Sequence, residues 1–550
     1  MLIAKAKDAA FWEKVRTSEE YKPFVDELHA LWEKDCVRDI PASKYSEFII
    51  FNVTGSRDEY QSSYFHRRRV MNTSAILSLI YPEEEKYFTK LCDAIWAILD
   101  EYTWVLPAHM PSFTENVVDH IDLFAAETGG ALSEIDYLLA DRLPPLIRNR
   151  ITYEVQRHII DGYTGEKRFH WERNTANWAT VCLGSVVMAL VYQRPDLIET
   201  VRPRIDETVR CYLSGFPEDG ICLEGFGYWH YGFGFFVTMA DLLYQFTDGK
   251  IDYLSIPKVK QIAKYPYRMY LDGRTTVSFS DGGMAGHYHI GLLHYLKQKF
   301  PDAVEIPDRS FSYTNDSCGR WCMHLRVFLW FDKDAATTAA APVSEDYAAQ
   351  SQWLVKKTLH YGFAAKGGHN AEPHNHNDLG SFIVAHGGEQ ILCDPGAGRY
   401  CKQYFRGERY TFFKASSRGH SVPIIGGQYQ VAGRDHAAET SYENGVFTVE
   451  MHRGYDIPAL TELKRSFSFT DSTVTVADTF ALTEEMPITE RFVSRKPAEI
   501  ADGTVKTGGL TLKVSAGADV TVHEEEGFWC IDYTLAPGVR SFALTVEVDG

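Results

Sequence analysis

Residues 369–382 read HNAEPHNHNDLGSF. His374 and His376 stand two apart, flanked by Asn375, Asn377 and Asp378, just before an apolar, strand-like run. A solvated surface has little use for imidazoles at that density; a metal ion, a proton transfer or both would use them. In extended backbone, residues two apart face the same side, so both rings can enter one pocket. Asp394 follows in QILCDPGAGRY and His420 in SSRGHSVPIIGG. Two histidines and an aspartate on neighbouring strands make a reasonable zinc shell, because imidazole and carboxylate both suit that ion. The long spacing leaves hydrogen-bonded structural histidines as the plainer alternative.

A second group of chemically capable residues lies in DGICLEGFGYWHYGFGFF (219–236), where glycines alternate with Tyr228, Trp229, His230 and Tyr231. Glycine lets a backbone turn sharply or come close to something. Glu224 and Tyr228 are candidates to face a cleft, Trp229 is a candidate sugar contact, and an aromatic helix start in the core is the competing reading. FHWERNTANWATVC (169–182) sets Asn174 and Asn177 just before an apolar helix; an N-cap accounts well for Asn174 and less well for Asn177. In VSFSDGGMAGHYH (277–289), Asp281 reads as a residue that fixes a turn.

The elements that must position these residues fall into two kinds. Up to about residue 330 the apolar residues recur at helical spacing. The stretches are 118–139, 143–160 (with prolines where a helix start accepts them), 177–192 and 233–246. Short polar loops between them predict stacked helical hairpins over 1–331. DKDAATTAAAPVSED (332–346) has no periodicity and reads as a linker. From there to 550 the period becomes two, as in 445–454, 464–482, 510–535 and 541–548, with Gly, Asp or Asn at the turns; that is an antiparallel β-sandwich over 347–550. Pockets favour domain interfaces, so a site built from both halves is expected.

Composition narrows the function. A chain of 550 residues exceeds one ordinary core. Net charge is −18, which disfavours nucleic acid and anionic membranes as partners but permits a locally basic site for an acidic polymer. The compact basic cluster His66–Arg69 reads as a solvated helix face. Ten scattered cysteines read as buried reduced thiols. No signal-like segment and no run of 18 apolar residues is visible, so the expected location is cytoplasmic, or secreted if a leader has been removed.

Five stretches, in order, resemble the heparinase II/III family of polysaccharide lyases: TWVLPAHM with IDLFAAETG, NWATVCLGSVVMAL, DGICLEGFGYWHYG, HNHNDLGSF with ILCDPGAGRY, and RGHSVPIIGGQYQ. They span roughly residues 100–435. The resemblance implies an incomplete (α/α) toroid followed by an antiparallel β-sandwich, and β-elimination on a uronic acid polymer or oligosaccharide, glycosaminoglycan being mildly preferred. It also implies roles. Asn177 would donate to the uronate carboxylate, Tyr228 would act as acid and in some members as base, and His374 would act as base or carboxylate neutraliser. His376, Asp394 and His420 would hold a structural Zn²⁺, and His109 would contact substrate.

Elimination needs the carboxylate beside C5 neutralised, a base for the C5 proton and an acid for O4. Three rival readings use other residues. A glycoside hydrolase would set Glu224 and Asp281 across a sugar. A non-catalytic glycan-binding protein would keep the fold alone. A metal-dependent oxygenase would ligate iron through His374, His376 and a carboxylate such as Asp378.

Overall fold

The computed structural model describes residues 2–111, 113, 117–272, 275–286, 289–306, 316, 318–335, 343–515 and 518–549. Helices fill the first part of the chain. Leu123–Leu138 lies against Trp178–Gln193, which also packs on Ile198–Ser214 and Gly234–Phe246. Pro145 starts the helix Pro145–Val155, where its missing N–H is no loss. The apolar faces enclose one large core that holds Trp104, Trp171 and Trp229. No single helix among the described residues is long and apolar enough to cross a membrane.

The second part is two antiparallel sheets, one of nine strands and one of eight. Their facing side chains form a separate core, with Leu354, Phe363 and Phe382 from the first sheet against Phe447, Phe467 and Val546 from the second. The alternate residues of the same strands point the other way. Trp353, Val355, Ala364 and Ile383 join the helical core. One sheet therefore serves both halves, and a one-residue slip of its register would swap the two faces. Trp353 is 1% exposed; truncating a buried tryptophan costs about 3–5 kcal/mol.

Two readings from sequence need correction here. The segment 332–346 is not linker to its end: Ser344–Ala348 is an edge strand paired with Trp353–Lys357, and Asp346 binds Arg268. Residues 336–342 lie outside the described residues. His66–Arg69 is not a solvated face. Arg67 and Arg68 are buried and both bind Glu101, at 2.5 and 2.7 Å.

Candidate active site

The cleft between the two halves encloses about 1230 Å³. Among the described residues its lining carries Arg57, Arg69, Arg320, Arg399, Lys402 and Arg406 with Asp58; Arg69 pairs with Asp35, Arg320 with Asp316 and Arg399 with Asp58. A chain of net charge −18 thus lines this cleft with more cationic than acidic side chains among the described residues, which favours an anionic ligand there.

Tyr228 and His374 meet in this cleft. Their rings stack with centroids 4.2 Å apart at 24°. Tyr228 ends the short helical turn Phe226–Tyr228, and the next five residues, Trp229–Phe233, form a π turn, a distortion common at functional sites. His374 has φ of 57°, the left-handed region that costs a non-glycine residue about 1–2 kcal/mol. Burial raises the Tyr228 phenol well above its ordinary value, so it is protonated at neutral pH.

Asn177 borders the same cleft from the start of its helix. Its backbone N–H and its amide donate to the two oxygens of Glu224, at 3.0 and 2.6 Å. Glu224 thereby fixes which way the amide faces. Its Oε2 lies 3.6 Å from His374 Nε2. Burial raises the Glu224 carboxyl, against the opposing pull of His374 and Asn177. Asn174 behaves as a local turn residue, accepting from Ala176 N at 2.7 Å.

Asp281 accepts five donors. His374 Nδ1 (2.7 Å) and Tyr400 Oη (3.0 Å) reach Oδ2; Tyr404 Oη (2.7 Å), Arg409 Nη2 (3.0 Å) and His376 Nε2 (3.1 Å) reach Oδ1. Burial opposes its charge, but the bonds from His374 and His376 and the charge of Arg409 outweigh that and hold the carboxyl far below the usual range. Tyr400 gives its one proton to Asp281, so its oxygen accepts from Tyr228 Oη at 2.5 Å.

Three glycines let the segments that carry these residues come this close, and Gly396 against Gly282 is the contact that crosses between the halves. Gly225 follows Glu224, Gly282 follows Asp281 and Gly396 follows Asp394 by two. A Cβ on Gly225 would come within 3.0 Å of Gly282 Cα, and one on Gly396 within 2.3 Å of Gly282 O. Gly225 and Gly396 have φ of 110° and 61°.

His376, Asp394 and His420 offer ligand atoms within 4.8 Å of one another, all buried. The donors fit a zinc ion. His376 Nε2 faces the ionised Asp281, and His420 Nε2 faces the carbonyl of Lys414 at 2.9 Å; each partner accepts, so each Nε2 carries the proton. Both Nδ1 atoms are then free lone pairs. They and Asp394 Oδ2 are buried; His376 Nδ1 has no hydrogen-bond partner, and His420 Nδ1 faces Asp394 Oδ2 at 3.2 Å, an arrangement that a cation between them would complete.

Other residues expected from sequence are placed as follows. His109 lines the cleft but uses both nitrogens, on Asp122 Oδ2 (2.8 Å) and Arg57 (3.2 Å). Trp229 does not contact the cleft. It is 0% exposed, its indole N–H donates to Ile262 O, and it packs beside Phe233 and Tyr265 in the helical core. Trp178 borders the cleft instead, beside His109. The oxygenase triad does not form, because Asp378 Oδ1 is taken by Lys366 at 2.8 Å and both His374 Nδ1 and His376 Nε2 are engaged by Asp281. The hydrolase pair does not form either: Glu224 and Asp281 are buried against protein donors and neither lines the cleft. Sequence reasoning read Asp281 only as a turn residue or a hydrolase carboxylate and missed Tyr400, Tyr404 and Arg409 as site residues; the signals were an Asp-Gly-Gly loop and a Tyr-x₃-Tyr spacing.

The chain thus joins a helical half to a β-sandwich, with Tyr228 and His374 facing each other between them. Residues 352–543 match the family described as Heparinase II/III-like, C-terminal. No curated protein matches the chain. Among solved structures, heparinase III aligns over 90% of this chain and 78% of its own, with 14% identity and a TM-score of 0.64. Heparan sulfate lyase HepC from Pedobacter heparinus aligns over 100% and 87%, with 14% identity and a TM-score of 0.60. Streptomyces coelicolor A3 chondroitin AC lyase in complex with chondroitin sulphate aligns over 98% and 82%, with 10% identity and a TM-score of 0.54. At these identities the likeness is one of fold.

Proposed function

We propose that the protein is a polysaccharide or oligosaccharide lyase that cleaves uronic-acid-containing glycans by β-elimination, with a glycosaminoglycan as the favoured substrate class. The observation that carries this is the stacked Tyr228–His374 pair at the wall of a cation-lined, sugar-sized cleft, with the Asn177 amide beside it. The solved relatives of this fold named above are lyases of heparan sulfate and chondroitin, which supports the substrate class.

The uronate carboxylate sits against Asn177, whose second amide hydrogen is free of Glu224. Neutralising that carboxylate lets charge spread from C5 into it as the C5 proton leaves. His374 Nε2 takes that proton, since Nδ1–H is committed to Asp281. The electrons form the C4–C5 double bond and the C4–O4 bond breaks. Tyr228, kept protonated by burial, gives its proton to the departing O4. The products are a 4,5-unsaturated uronate and a new chain end; no water is consumed. His376, Asp394 and His420 would hold a zinc ion, which would brace the loop carrying His374. Arg57, Arg399 and Lys402 would meet the anionic groups of the glycan.

The test is incubation with a panel of uronate polymers and oligomers, following the ultraviolet absorbance of the unsaturated product. Hydrolysis would release chain ends without that absorbance, and a binding protein would release nothing.

A further inference from the structure

Asp281 does not touch the cleft, yet both proton-transfer side chains lead back to it. Its side chain is fully buried. The residue before it, Ser280, is held at φ of 63° with its hydroxyl on Leu223 O at 2.8 Å. Such backbone costs about 1–3 kcal/mol and persists only where the surroundings enforce it. The two carboxylate oxygens divide their donors. Oδ1 receives His376 of the metal cluster together with Tyr404 and Arg409, none of which takes part in the elimination. Oδ2 receives His374 directly and Tyr400, whose oxygen in turn holds the phenol of Tyr228. An ion pair for Arg409 would account for Oδ1 alone. It leaves the convergence on Oδ2 without a purpose.

Building on the lyase reading, we infer that Asp281 is the positioning residue of the elimination: Oδ2 orients His374 directly and Tyr228 through Tyr400, while Oδ1 anchors both to the metal-bearing loop. Reacting groups displaced by about 1 Å lose on the order of 10²-fold in rate. The carboxylate is the only group through which the base, the acid and the cluster are joined by hydrogen bonds among the described residues.

The test uses the full chain with its metal. Asp281→Asn keeps the size but replaces one acceptor oxygen by an amide N–H₂, so at least two of the five donors face a donor. Its kcat should fall by about 10²-fold or more with KM little changed, a split that general destabilisation does not produce. Tyr400→Phe cuts the Tyr228 arm alone and should lower kcat less, again with KM held. Because both arms share Oδ2, the double variant should fall no further than Asp281→Asn. A readout free of turnover is the downfield proton resonance of the His374 Nδ1–H bond. It should be present in the wild type and in Tyr400→Phe, and absent from His374→Gln and Asp281→Asn. Wild-type kcat in Asp281→Asn, a loss confined to KM, multiplying losses in the double variant, or no such resonance in the wild type would each overturn the inference. If Asp281→Asn does not fold, Tyr400→Phe and the wild-type resonance still decide it. A wild type that shows the resonance but yields no unsaturated product from any uronate sinks the lyase reading and leaves the geometry standing.

Discussion

Gly396→Ala tests how tightly the two halves must meet. The new methyl would lie 2.3 Å from the carbonyl oxygen of Gly282, a backbone atom with no rotamer to escape through. Regaining a 3.0 Å contact moves one of the two chains by about 0.7 Å. Two costs add. Alanine at φ of 61° carries about 1–2 kcal/mol of backbone strain, and overpacking adds about 1–3 kcal/mol. Stability should therefore drop by about 2–5 kcal/mol. Gly282 adjoins Asp281, so the same shift displaces the carboxylate, and kcat should fall by roughly 10-fold to 10²-fold. The control is Gly427→Ala. Gly427 has φ of 73° but open space around its Cβ, so it should lose about 1–2 kcal/mol and keep its turnover. Denaturant unfolding gives the stabilities and product absorbance gives the rates. Equal stability losses with wild-type kcat in Gly396→Ala would refute the claim that this backbone contact sets the site.

Tyr228→Phe should lower kcat by about 10²–10⁴-fold, the range for a lost proton-transfer group, with substrate binding retained in a direct titration. His376→Ala should lower zinc content by elemental analysis and reduce stability, and a chelator should lower the wild-type unfolding midpoint but not that of the variant. His158 is buried beside Trp104 (centroids 4.2 Å) with Nδ1 on Val118 O, and burial lowers it to about 4. Its folded value lies below its unfolded one, so the unfolded chain binds the proton more readily. Stability is full above about pH 6.5 and is lost as pH falls toward 4, by about 3 kcal/mol, and His158→Gln should flatten that slope in unfolding curves. Raising the salt should raise KM for an anionic glycan, because the cleft cations are screened, and leave kcat nearly constant.

Much of the architecture was readable because periodicity is a local signal. The helical spacing of 177–192 and 233–246 and the alternation of 464–482 each report the face that a segment buries, and the elements form there. Tyr228, His374 and Asn177 were legible through motif resemblance and meet at one cleft. Asp281 was named only as a turn residue or a hydrolase carboxylate, because a lone aspartate before two glycines has the local chemistry of a turn. Its partners lie 93 to 128 residues away, and nothing in their spacing records the convergence. Trp229 failed for a related reason. Next to Tyr228 on a helical turn, it faces about 100° away, and the side that faces the cleft belongs to the tyrosine.

The strand face shared by the two cores bears on where a working fragment could be cut. Residues 352–543 carry the recognisable homology. Excised alone, they would expose Trp353, Val355 and Ile383 to water and would leave the imidazoles of His374 and His376 without the carboxylate they both lean on. The matched segment and the unit that buries its own surface therefore have different bounds: a fragment cut at the match would carry an apolar sheet face without its cover.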